Sequence, residues 1–293
     1  MRQRVVLLTR PSAKQTFLRR YGSEGQTRFV MAQSAKGKAD FAKAEVEDTA
    51  QSRATARIRK ALPSDVKLAE IDREMVAQFL FEPHDLVVAV GQDGLVANVG
   101  KYLDGQILAG VNPDPDTIDG SLLAFNVDTF IASLAEVLND RRPLREATLA
   151  EAETSDRQLL RGLNEIFVGV PNHQSARYRL RLGKEEEVQS SSGLIVSTGT
   201  GSTGWLKSLR GEAAVFDPAA DELHFVVREA WPGRGFAATL IEGRVTREQP
   251  LFIESRMEAG TIFADGIEAD AVRFDAGVSV TIAPGARRVR LVQ

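Results

Sequence analysis

Four largely apolar runs mark the first part of the chain, at residues 5–8, 66–71, 86–90 and 107–111. A strand covered by helices on both faces needs apolar side chains on each, so runs without strict alternation predict parallel strands in a helix-covered sheet. The stretches between them predict helices over 39–60, 73–80 and 94–102. The first is rich in Ala, Lys, Glu and Arg, which favour helix, although its apolar stripe is thin. Two prolines and several short polar residues make 112–120, NPDPDTIDG, a loop. Val127, Phe130, Ile131, Leu134, Val137 and Leu138 then recur at helical spacing up to Asn139, with Pro143 beyond, and predict a helix bridging two domains.

From Leu144 onward the texture changes to strands separated by Gly, Asp and Pro, at 178–182, 193–197, 223–228, 251–255, 261–264, 278–282 and 289–292. With few helical patterns between them, they predict a mostly antiparallel structure. Glu185 to Glu187 mark a hairpin tip, and Asp265-Gly266 a tight β-turn. The fold class expected is therefore an α/β Rossmann-like domain over 1–125, followed by a β-rich domain over 126–293 whose final segment packs back on the first. A length of 293 residues suits two domains.

Charge and cysteine content narrow the function. A net charge of -3 excludes a dominant attraction to polyanions, so no nucleic-acid partner is expected. With no Cys there is neither a thiolate metal site nor a Cys nucleophile, and His84, His173 and His224 lack metal-binding spacing, so no protein-held metal is expected. The apolar runs are too short to span a bilayer and the first ten residues lack the long apolar stretch of a secretion signal, which predicts a cytoplasmic protein without a membrane partner. The basic clusters at 57–60 and 141–145 read as solvated faces or dipole partners.

Three segments carry candidate chemistry. Gly91-Gln92-Asp93-Gly94 follows the apolar run 86–90 and precedes a helix starting near Leu95. At the carboxyl end of a parallel strand, glycines permit a tight turn and the next helix aims free N–H groups at an anion. A carboxylate there suits a base that takes a proton from an attacking hydroxyl, or a hold on a metal ion that neutralises the phosphate charge, and it also suits a helix N-cap. Residues 199–204, GTGSTG, satisfy GxGxxG but lack the βαβ context of a dinucleotide fingerprint, and Trp205 stands where a P-loop requires Lys. What remains is a loop of small residues and hydroxyls able to approach a ligand, with Trp205 either an aromatic wall for a base or simply buried. Asn164-Glu165, ahead of an apolar run, pairs an amide with a carboxylate, a combination able to read a base edge and ribose hydroxyls.

Taken in chain order, GQDG, then Asn164-Glu165, then GTGSTG, the three segments resemble the NAD kinase family, which carries a GGDGT loop, an Asn-Glu pair and a glycine- and threonine-rich loop. Residues 191–205, SSGLIVSTGTGSTGW, and 110–115, GVNPDP, are most similar to its mitochondrial-type branch. The resemblance implies transfer of the terminal phosphoryl group of ATP, with Mg2+ or another divalent cation travelling with it, to the 2′-hydroxyl of NAD to give NADP. It also implies a homodimer or homotetramer, and an active site between the two domains. Carried over, Asp93 is the general base, and Gly91, Gln92, Gly94 and Leu95 form the ATP-phosphate loop. Asn164 and Glu165 hold the adenosine of NAD, together with Ser192, Thr200, Thr203, Gly204, Trp205 and Ser208. Three positions depart from the family: Gln92 replaces Gly, Leu95 replaces Thr and adds bulk beside the phosphates, and Ser192 stands where many members have Asp. The alternatives these departures motivate are a kinase acting on another alcohol, such as a sugar or lipid, and a catalytically idle nucleotide-binding protein.

Overall fold

A computed structural model of the chain describes residues 2–293, the side chains of Glu268 and Ala269 excepted. The chain divides into two units, one of Met1–Val99, Gln106–Arg145 and Arg290–Gln293, the other of Gly100–Gly105 and Glu146–Val289.

In the first unit the chain runs β1 (Arg4–Thr9), α1 (Ala13–Tyr21), α2 (Glu24–Met31), α3 (Ala35–Ala61), β2 (Lys67–Asp72), β3 (Leu86–Val90), α4 (Asp93–Gly100), β4 (Ile107–Asn112), the two-residue β5 (Phe125–Asn126) and α5 (Val127–Leu138). The sheet order β2-β1-β3-β4 is parallel throughout. Every residue of β3 and β4 is buried, as unbroken apolar runs require. Near the end of the chain, Arg290 and Leu291 pair in parallel with Ile107 and Leu108. Helix α5 buries Phe130, Leu134, Val137 and Leu138 in the core of this same unit rather than bridging two domains.

Helices α1 and α2 lie where no element is expected. Pattern reading fails there because α1 buries no residue and α2 only Thr27. Their starts are set instead by Ser12 and Ser23, whose hydroxyls accept the N–H of Gln15 and Gln26, and Ser34 does the same for α3 at Gly37. The helix expected over 73–80 is a short 3-10 helix, Arg73–Gln78, which buries only Val76 and gives way to extended backbone at Phe79.

The second unit contains β6 (Leu144–Thr154) from Glu146 onward, β7 (Leu159–Gly162), β8 (Glu165–Gly169), β9 (Ala176–Leu182), β10 (Glu185–Ser191), β11 (Leu194–Ser197), the short helix α6 (Trp205–Arg210), β12 (Leu223–Val227), β13 (Glu242–Val245), β14 (Leu251–Ser255), β15 (Thr261–Ala264), β16 (Ile267–Arg273) and β17 (Ser279–Val292) as far as Val289. One antiparallel sheet has the order β13-β12-β11-β8-β15-β16. A second antiparallel run is β10-β9-β14-β17, with β6 pairing β17 and β7. Their facing side chains, including Ile166, Val196 and Phe225 from one and Tyr178, Leu180 and Ile253 from the other, form a common core.

Two expectations in this unit are corrected. The separate strands at 278–282 and 289–292 are one 14-residue strand that continues through Pro284-Gly285. The hairpin tip is Gly183-Lys184, not 185–187, because Leu182 pairs Glu185 across a two-residue turn with Gly183 at a φ of 59°.

Candidate functional site

In the first unit, buried β3 delivers Gly91-Gln92-Asp93-Gly94 to its carboxyl end, and α4 begins on Asp93 itself. The turn is closed by the Gly91 N–H on the Val111 carbonyl at 3.1 Å and by the Leu95 N–H on the Gln92 carbonyl at 2.9 Å. The Leu95 side chain is 2% exposed, so its bulk is taken up in the core. Its Cδ2 would lie 3.1 Å from a Cβ at Gly91, whereas a Cβ at Gly94 would meet open space. Gln92 lines a cavity of about 110 Å³ that is also bordered by Gly91, Arg10, Lys43, Glu47 and Asp114, with Arg10 paired to Glu47 at 3.1 Å.

The Asp93 carboxylate reaches a distant loop instead of capping its own helix. Oδ1 accepts the Leu122 N–H at 3.0 Å, and Oδ2 accepts the Ser121 N–H at 2.7 Å and the Ser121 hydroxyl at 3.4 Å. Nothing local in the sequence signals these partners, since the segment around them reads only as a loop.

In the second unit Asn164 precedes β8 and Glu165 opens it. Asp265, in the β15–β16 turn at a φ of 56°, aims its carboxylate at this corner and accepts the N–H groups of Leu163 at 3.0 Å, Asn164 at 2.7 Å and Glu165 at 3.3 Å. Burial pushes Asp265 up to about 6 in spite of these donors and of nearby Lys101. Glu165 is pushed up to about 7, first by burial and then by the charge of Asp265. Lys101 donates to Asp270 at 2.6 Å and the Tyr102 hydroxyl does so at 2.8 Å; burial and Asp270 together raise the pKa of Tyr102. Asp265 is thus more than the turn residue its Asp-Gly dipeptide suggests.

The glycine-rich loop closes on the same corner. Thr198 donates its N–H to the Asn164 carbonyl at 2.9 Å and its hydroxyl to the Leu163 carbonyl at 2.5 Å. A Cβ at Gly201 would stand 2.1 Å from the Asn164 carbonyl oxygen, and one at Gly199 2.0 Å from that of Asp217. These two glycines therefore admit the protein's own backbone. The Thr203 hydroxyl donates to the Thr200 carbonyl and that of Ser208 to the Trp205 carbonyl, while the Thr200 hydroxyl is buried without a partner among the described residues. Thr203 and Gly204 are exposed.

Trp205 is half-buried and stacks on Phe167 at 5.8 Å between ring centroids and 11° between planes, with Phe167 in turn against Phe263 at 4.8 Å. The Arg228 guanidinium lies over the Trp205 ring at 5.2 Å. Ser192 accepts from Arg228 through its carbonyl and donates its hydroxyl to Glu229. Trp205, Arg228, Glu229 and Ile241 border a pocket of about 280 Å³. Thr198 and Gly201 thus tie the loop that carries Thr200, Thr203 and Gly204 to the Asn164-Glu165 corner; Trp205 opens the following helix, and Ser192 joins it through Arg228. The sequence marks Arg228 only as a strand end and does not mark Glu229.

Among the described residues no group of three or more His, Asp or Glu side chains could hold a metal ion, and no helix is long and apolar enough to cross a membrane. No family model matches the chain, and no curated protein matches it. Solved structures do. An NAD kinase from Archaeoglobus fulgidus in complex with ATP is 18% identical, with a TM-score of 0.61 over 99% of this chain and 93% of the other. Yeast NADH kinase complexed with NADH is 14% identical, with a TM-score of 0.65 over 99% of this chain and 83% of the other. The protein has the fold of these NAD and NADH kinases.

Proposed function

We propose that the protein is an NAD kinase that transfers the terminal phosphoryl group of ATP, presented with a divalent cation such as Mg2+, to the 2′-hydroxyl of NAD. The observation that carries it is the Asp93 carboxylate, held by backbone donors at the carboxyl end of a buried parallel strand in a chain with this fold. Phosphoryl transfer asks a protein mainly for positioning and charge neutralisation, so one placed base and two bound substrates suffice. Asp93 takes the 2′-hydroxyl proton as that oxygen bonds to the γ-phosphorus; the bond from phosphorus to the bridging oxygen breaks, and ADP leaves with its electron pair. Asn164 and Glu165 hold the adenosine part of NAD, with the loop from Thr200 to Trp205, Ser192 and Ser208 completing that pocket. Gly91, Gln92 and Gly94 border the donor phosphates. No protein carboxylate is assigned to the cation, which travels on the donor. A cytoplasmic homodimer or homotetramer of the mitochondrial-type branch completes the proposal, and light scattering measures the subunit number.

Incubation with ATP, Mg2+ and NAD should yield NADP. Asp93→Asn should lose about 10²- to 10⁴-fold in turnover while still binding NAD, the usual contribution of a general base. Turnover with a sugar or lipid alcohol and none with NAD would decide for a different acceptor, and NAD binding without phosphorylation of any acceptor for an idle protein.

A further inference from the structure

We infer that the backbone of Gly120, Ser121 and Leu122 is the positioning element for the Asp93 carboxylate, and that residue 120 must be glycine for that carboxylate to stand where it does. The inference rests on Asp93 acting as the base. Two backbone N–H groups reach it from a loop 28 and 29 residues away, one on each carboxylate oxygen. A carboxylate offers about four lone-pair sites, so these bonds and the long contact from the Ser121 hydroxyl fix its orientation and leave it able to accept a proton.

The fit depends on space, because a Cβ at Gly120 would lie 2.2 Å from Asp93 Oδ1 and 2.7 Å from its Cγ. The loop has little freedom to retreat. A Cβ at Gly110 of β4 would lie 2.2 Å from the Leu122 carbonyl oxygen, so backbone packs on backbone there, and the Leu122 side chain is 5% exposed. Earlier in the same loop, the Asn112 amide holds the Ile118 carbonyl at 2.7 Å. A methyl group at position 120 must therefore displace Asp93, and a misplacement of about 1 Å at a reacting group can cost on the order of 10²-fold in rate.

Gly120→Ala should lower kcat by about 10²-fold, with KM for NAD within twofold of the parent. In the Asp93→Asn background the same change should cost nothing further in kcat, because no carboxylate remains to be displaced. A purely structural role would lower both backgrounds alike, and that multiplicative result overturns the inference. Should Gly120→Ala fail to fold, hydrogen exchange decides: the Ser121 and Leu122 N–H groups should be protected in the unaltered protein, and at least one of them should exchange faster in Asp93→Asn, whose side-chain nitrogen cannot accept a hydrogen bond. Exchange at both amides that is the same in the two proteins overturns the inference. Full loss in Asp93→Asn with Gly120→Ala unimpaired overturns it alone, whereas an Asp93→Asn enzyme within a few-fold of the parent overturns the assignment of the base and this inference together.

Discussion

Gly201 shows how a residue that reads as a ligand-binding glycine is fixed by its own chain. Its α-carbon packs against the Asn164 carbonyl, which also accepts the Thr198 N–H, so the loop and the Asn-Glu corner are held by backbone contact. Gly201→Ala should destabilise the fold by about 1–3 kcal/mol, as overpacking does, and should weaken NAD binding with it; chemical denaturation and calorimetry check the two effects. Glu165, raised from an ordinary 4.5 to about 7, gives a separate signature. If its carboxylate accepts ribose hydroxyls, NAD affinity should rise as pH climbs from 6 to 8, and Glu165→Gln should flatten that rise. An affinity independent of pH in the parent protein would remove Glu165 from the binding role.

At the scale of elements, the β15–β16 turn is a brace. Asp265 supplies acceptors to three successive N–H groups at the entrance to β8, which a plain Asp-Gly turn would leave unmet. Asp265→Ala should cost about 1–3 kcal/mol by leaving buried donors without partners, and hydrogen exchange at Leu163 and Asn164 should quicken. Elements were legible where one face is buried and its period is clean. Strands β3 and β4 and helix α5 show this, with unbroken burial in the strands and a stripe from Phe130 to Leu138 in the helix. Strand β6 was not legible. Its sequence LREATLAEAET has helix-forming composition, and pairing with β7 and β17 overrides that preference.

For the whole molecule, the two raised carboxyl groups set a pH dependence of stability. A raised acid binds its proton more tightly in the folded state. Its contribution is therefore fully present below the ordinary values of 3.8 for Asp265 and 4.5 for Glu165, and is lost as pH rises through about 6 and about 7. Carboxylates held low by a partner, such as Glu70 beside Arg59, act in the opposite sense nearer the surface. The excess of Tm at pH 5 over Tm at pH 8 should therefore be larger in the parent protein than in the Glu165→Gln/Asp265→Asn variant. Equal differences in the two proteins would show that these groups are not perturbed.

The linear order of residues was enough to establish a parallel, helix-covered first part and an antiparallel second part, because burial of a strand or helix face writes a period into neighbouring positions. It also placed the GQDG turn, the Asn-Glu pair and the glycine-rich loop, which are local. Tertiary structure alone decided what Asp93 and Asp265 touch. Their partners are main-chain N–H groups about 28 and 100 residues away, every residue except proline carries such a donor, and no sequence pattern singles out the ones that the fold brings within hydrogen-bonding distance.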